Sequence, residues 1–134
     1  MKQLSIFLEN RAGRLEEVLR VLAEEHINIL SLSMADTSEY GMLRLLVSDP
    51  EKGRAALKTK GFSATLTDVL ALKMDHKVGE LHRVLRILCD AGVNIEYMYA
   101  LCTETDEAAM ALKVSDLEKA GKLMSEAGVA FFDR

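Results

Sequence analysis

Gly13-Arg14-Leu15-Glu16-Glu17-Val18-Leu19-Arg20-Val21-Leu22-Ala23-Glu24-Glu25-His26-Ile27-Asn28-Ile29 returns 66 positions later as Gly79-Glu80-Leu81-His82-Arg83-Val84-Leu85-Arg86-Ile87-Leu88-Cys89-Asp90-Ala91-Gly92-Val93-Asn94-Ile95. Eight of these 17 positions are identical, where ordinary residue frequencies would give roughly one. Further on the offset becomes 67, and Val47-Ser48-Asp49-Pro50-Glu51-Lys52 meets Val114-Ser115-Asp116-Leu117-Glu118-Lys119. The extra residue therefore falls between about 34 and 46, in or beside a turn, where insertions are tolerated. Gly61 then meets Gly128. The chain is a tandem duplication, divided as residues 1–67 and 68–134.

Each copy spells the same series of elements. Leu4, Ile6 and Leu8 alternate with Ser5 and Phe7, the period of a strand. Leu15, Val18, Leu19 and Leu22 follow at helical spacing and give one apolar face through about Glu25. Glu16 and Arg20 sit four apart on the opposite face. Strands are predicted from about Asn28 to Ala35 and from Met42 to Val47, around a turn at Asp36-Thr37-Ser38-Glu39-Tyr40-Gly41. Asp49 and Pro50 suit the N-cap and first position of a second helix, which ends near Gly61 before a strand at about Ser63–Thr67. Copy two predicts strands at about Val69–Met74, Asn94–Cys102, Ala108–Val114 and Val129–Phe132. Its helices run about Glu80–Ala91 and Asp116–Ala127. Gly92 and Gly128 supply left-handed residues after these helices, whereas His26 stands where the first copy needs one.

The fold class is thus α+β: two ferredoxin-like βαββαβ modules, each an antiparallel sheet with both helices on one face. About 65 residues is marginal for an isolated domain. With only Thr67-Asp68 at the joint, the copies are expected to pack tightly and to unfold in one transition.

Composition narrows the function classes. The first copy carries nine Lys/Arg and nine Asp/Glu, the second eight and twelve, so the net charge of −4 lies wholly in the second. No basic stripe emerges, and with no Trp and 5% aromatics there is little to stack bases on, which argues against nucleic acid. No run of 18 apolar residues argues for a membrane span, and the first residues lack the apolar stretch of a secretory signal, so the cytoplasm is the expected compartment. Cys89 and Cys102 form no C-x-x-C, and no disulfide between them is expected there.

Glu9-Asn10-Arg11-Ala12-Gly13-Arg14-Leu15, Ile27-Asn28-Ile29 and Ala35-Asp36-Thr37-Ser38 together resemble the ACT domain family, specifically small proteins made of two ACT domains. The loop is similar to the family's D/N-x-P-G-x-L segment, with a G-[IV]-N-[IV] start to the second strand. Copy two shows the pattern again as Asp75-His76-Lys77-Val78-Gly79-Glu80-Leu81 and Gly92-Val93-Asn94-Ile95. Ala12 and Val78 stand where the family has proline. The resemblance implies regulation: an amino acid bound at an interface between modules, with the signal passed to an attached or neighbouring enzyme. It implies contacts from the first strand–helix loop of one module and the second-strand start of its partner. In copy one these are Asn10, Arg11, Ala12, Gly13, Arg14 and Leu15, with Asn28, Ile29 and Leu30. In copy two they are His76, Lys77, Val78, Gly79, Glu80 and Leu81, with Asn94, Ile95, Glu96 and Tyr97. It also implies a homodimer and a separate enzyme of amino-acid metabolism as partners.

The chemistry of these positions suits an amino acid. Gly13 and Gly79 let a ligand approach the backbone, and a helix start favours an α-carboxylate. Ala12 and Val78 cannot cap those starts, leaving N–H groups for water, a loop carbonyl or a ligand. Asn28 and Asn94 can donate and accept, and Asp36, Asp75 and Glu96 are candidates for the ammonium. The same glycines can simply turn the chain, the asparagines can cap the preceding turn, and Asp36-Thr37-Ser38 reads first as a turn. His76, Glu80, Glu96 and Tyr97 point to a ligand with a polar side chain, such as histidine, serine or lysine, if copy two contributes most.

No catalytic constellation is present: G-x-S-x-G, G-x-x-x-x-G-K-[ST] and G-x-G-x-x-G are all missing, so no enzyme and no cofactor are expected. His76 and His82 lie six apart on no shared helical face, and no metal site is expected. Cys89, opposite Ala23, is expected in the core. Met34, Met42, Met74, Met98 and Met110 are expected to fill it. The alternatives to an amino-acid sensor are a module that only assembles subunits, its pockets degenerate, and an enzyme or RNA-binding protein on the same βαββαβ plan.

Overall fold

In the computed structural model, which describes residues 1–36, 40–102 and 107–132, the chain resolves into two compact units. One is Lys2–Thr67; the other starts at Asp68 and also includes Met1. The first module runs β1 (Lys2–Glu9), α1 (Arg14–Glu24), β2 (Ile29–Asp36), β3 (Tyr40–Val47), α2 (Pro50–Thr59) and β4 (Ser63–Asp68). The second runs β5 (Leu70–Met74), α3 (Glu80–Asp90), β6 (Ile95–Ala100), β7 (Ala108–Val114), α4 (Leu117–Glu126) and β8 (Ala130–Phe131).

The two sheets have the same plan, β2-β3-β1-β4 and β6-β7-β5-β8, antiparallel in every recorded register. Alternation does the sorting expected of it. Leu4, Ile6, Leu8, Leu43 and Leu45 turn to the helices and are fully buried with Val18, Leu22 and Leu57. The second core repeats this with Leu72, Val84, Leu88, Leu112, Ala120 and Met124. Helices α2 and α4 begin as the sequence predicts, with Asp49 and Asp116 accepting from the backbone N–H of Lys52 and Lys119 at 3.2 and 3.1 Å. Gly61, Gly92 and Gly128 follow their helices at φ 85°, 77° and 74°. His26 takes the same left-handed place at φ 57° without being a glycine.

Periodicity could not show one feature. The register slips between Ile29 and Ser31, and again between Ile95 and Tyr97, so Leu30 and Glu96 are extra residues in matching bulges. The bulge lets Ile29 and Leu32, three apart, pair opposite the inward-facing Val47 and Leu45.

Three expectations change. Cys89 is exposed, as is its counterpart Ala23, because the buried line of α3 runs Glu80, Val84, Leu88 and leaves the next position on the outer flank. Both cysteines are free. Met34 is 43% exposed: it faces the helix side, but on the edge strand, beyond the cover of α1 and α2. Tyr40 and Gly41, read as turn, belong to β3 and pair with Glu9 and Leu8. Thr37, Ser38 and Glu39 lie outside the described residues, as does the side chain of Asp36. Eight residues lie between the paired Met34 and Leu43, and nine between Ala100 and Met110. The extra residue of copy two therefore falls in this hairpin.

Candidate functional site

The two strand–helix loops have one backbone design. Arg11 N donates to Glu9 O (2.9 Å), Arg14 N to Arg11 O (3.3 Å) and Glu17 N to Gly13 O (3.0 Å). The second loop repeats them as Lys77 to Asp75 (3.0 Å), Glu80 to Lys77 (3.3 Å) and Arg83 to Gly79 (2.9 Å). Gly13 and Gly79 are the N-caps of α1 and α3 at φ 87° and 86°, with no side chain capping either helix. A left-handed residue at this corner explains the glycine. Asn10, Arg11, Ala12, His76, Lys77 and Val78 ride exposed on these loops.

Behind the glycines the copies diverge. Arg14 Nη1 donates to Glu17 Oε2 at 3.0 Å, and its guanidinium lies 4.4 Å from the centre of the Phe62 ring. Its Nε is buried and finds no acceptor among the described residues. At the matching positions the charges are exchanged: Arg83 Nη2 donates to Glu80 Oε1 at 2.6 Å and its Nε to Oε2 at 3.3 Å. That hydrogen bond, reinforced by the charges of Arg83 and Lys77, outweighs burial and holds the Glu80 carboxyl below its ordinary pKa. Phe62 is answered by Val129, and a cleft of about 180 Å³ opens there between Glu80, Arg83, Asp75 and Lys73.

A larger pocket, about 420 Å³, lies on the other side of the same loop. Its mouth is Asp75, His76 and Lys77, with Lys77 Nζ 3.8 Å from Asp75 Oδ2. Its walls are Met74 from β5, Leu81 from the first turn of α3, Ala100 and Leu101 from the end of β6, and Ala108, Ala109 and Met110 from β7. All of these belong to one module.

The residues predicted for the site do not converge within a module. β1 reaches its loop where Glu9 pairs with Tyr40, while Ile29 pairs with Val47 at the far end of β3. Eight strand residues put the loop and the start of β2 roughly 20–25 Å apart. His76, Lys77 and Leu81 line the pocket; Asn94, Ile95, Glu96 and Tyr97 sit at the opposite end of β6. Leu15 and Ile29 pack against the first core and Ile95 against the second. Glu96 pairs with Lys113 at 3.3 Å. Asn28 and Asn94 hold the second helix of their modules. Each backbone N–H donates to a serine hydroxyl (Ser48 at 2.9 Å, Ser115 at 3.0 Å), and each carbonyl accepts the N–H of that serine. Neither asparagine's side chain has a partner among the described residues, so the turn-holding reading of these two rests on their backbones.

Sequence reasoning missed Met74, Ala100, Leu101, Ala108, Ala109 and Met110. The signal was present in the self-alignment, where Ala100 and Ala108 stand opposite Met34 and Gly41.

A family model described as an ACT domain pair matches residues 1–133. The chain belongs to the ACT domain family. Its ACT pair is similar in structure to a Bacteroides thetaiotaomicron protein, with 41% identity and a TM-score of 0.92 over 98% of this chain and 90% of that one. It is also similar to the ligand-free regulatory subunit of aspartate kinase from Thermus thermophilus, with 17% identity, a TM-score of 0.68, and coverage of 94% and 91%. The corresponding subunit from Thermus flavus matches at 19% identity and a TM-score of 0.65, covering 95% and 92%. At that identity the likeness to the two subunits is one of fold. Among curated proteins none matches. None of the described helices of this ACT pair is long and apolar enough to cross a membrane.

Proposed function

We propose that this ACT pair binds a free amino acid in the second-module pocket and regulates a separate enzyme of amino-acid metabolism, catalysing nothing itself. The observation that carries the reading is the pocket beside the β5–α3 loop, where Asp75 and Lys77 set opposite charges 3.8 Å apart. An amino acid presents an ammonium and a carboxylate on one carbon, and adjacent opposite charges answer both. The uncapped start of α3 adds its dipole to Lys77 on the carboxylate side, which leaves Asp75 for the ammonium. About 420 Å³ lies within the range of small-molecule sites.

Control of a separate enzyme is supported by two solved structures of similar fold named as regulatory subunits of aspartate kinase, of which this chain covers 91% and 92%. The mechanism is a population shift: a ligand with unequal affinity for two conformations favours the one that encloses it. A homodimer belongs to the same proposal. β2 is an edge strand, and its Leu32 and Met34 are each 43% exposed.

The test is the melting temperature of the purified protein against all twenty amino acids at millimolar concentration. A ligand at about 100 times its dissociation constant stabilises by roughly 2.7 kcal/mol and raises the melting point by several degrees. A response weakened by Lys77→Ala and by Asp75→Asn supports the reading. No response to any of the twenty leaves the assembly-only module in its place.

A further inference from the structure

Corresponding corners of the two modules differ in the bulk of their side chains. In the first, Met34 reaches across β3 so that its Cε lies 2.9 Å from where a Cβ on Gly41 would stand. The pairings Met34–Leu43 and Ala100–Met110 make Ala100 the counterpart of Met34, and Ala108 that of Gly41. Methionine over bare glycine has become alanine beside alanine. The thioether that occupies the first corner has no equivalent in the second, and the second is where the pocket opens.

The lining fixes what can enter. Below the charged mouth, the side chains are Met74, Leu81, Leu101 and Met110 with the small faces of Ala100 and Ala108. None of these accepts or donates a strong hydrogen bond, so a charged or amide side chain placed there would lose its water without replacement. An apolar side chain gains by the same transfer, and methionine walls adapt to its shape. Of His76, Glu80, Glu96 and Tyr97, on which the sequence-based expectation of a polar ligand rested, His76 stands at the mouth and the other three do not line this pocket.

We propose that the ligand is an amino acid with a large apolar side chain, in the class of leucine, methionine and phenylalanine. It binds once per chain, in the second module, because Ala100 opens the corner that Met34 closes in the first. This rests on the reading of the pocket as an amino-acid site.

The experiment compares the full chain with its Ala100→Met variant, in melting temperature against the twenty amino acids and in calorimetric titration with the best of them. Ala100 is exposed, so the variant should keep the parent's circular dichroism and unliganded melting point. Leucine, methionine or phenylalanine should raise the parent's melting point by several degrees and titrate to one per chain. Ala100→Met should weaken that binding by more than about tenfold. Leu81→Asp, at a position already 37% exposed, should do the same if Ala100→Met fails to fold. A shift produced only by charged or small polar amino acids overturns the apolar class while leaving amino-acid binding intact. Two ligands per chain, or undiminished binding to both variants, overturns the assignment to this corner. Silence from all twenty removes the amino-acid reading and this inference together.

Discussion

His26 shows how a single residue departs from its repeat. Gly92 ends α3 in the left-handed region at no steric cost, and His26 does the same work at φ 57° with a Cβ in the way. The sequence announced this, because histidine stands where the other helices have glycine. His26→Gly should therefore stabilise the protein by about 1 kcal/mol and raise its melting point by a few degrees. An unchanged or lower melting temperature would mean that the imidazole makes contacts worth the strain. Cys89 is the opposite lesson. Its apolar neighbours suggested burial, but on a helix one step of 100° carries a residue from the core to the flank, and only the backbone shows which side wins.

Among the elements, α1 and α3 start with the same ion pair in opposite senses, Arg14–Glu17 and Glu80–Arg83. Glu80 lies at the positive end of its helix dipole, the favourable place for a carboxylate, while Arg14 lies at the unfavourable one and leans on Phe62. The lowered pKa of Glu80 sets a sign. A carboxyl more acidic in the folded chain than in the unfolded one stabilises the fold above its unfolded pKa, roughly 4.3, and loses that contribution as pH falls through the folded value. Glu80→Gln should accordingly have a lower urea midpoint than the parent at pH 7, with the gap closing as pH falls below the ordinary glutamate pKa of roughly 4.3 and through the lower folded one. A gap constant across that range would show that the charge on Glu80 is not what holds this helix start. The elements themselves were legible, since period, caps and glycines all agreed. The bulges at Leu30 and Glu96 were not, because one extra residue in a strand leaves hydrophobic alternation almost untouched.

At the scale of the whole molecule, self-similarity made the duplication readable before any element was assigned. The site was readable only in part. The family resemblance pointed to the loop at Asp75–Leu81, and its glycine and missing cap suit a ligand, but the walls of the candidate pocket come from strands paired far along the chain, and pairing is tertiary information. The proposed homodimer is a property of this scale too. Sedimentation equilibrium at micromolar concentration should give twice the chain mass, and a single-chain mass with and without the stabilising amino acid would remove that part of the proposal. The Arg14–Phe62 stack also bears on how the two halves differ. Exchanging the two helix starts would not be neutral. A transferred α3 start would set a carboxylate against the electron-rich face of Phe62, and a transferred α1 start would leave its arginine without a ring. The two loops share a backbone but are not interchangeable, because each is matched to the side chain that its own module places behind it.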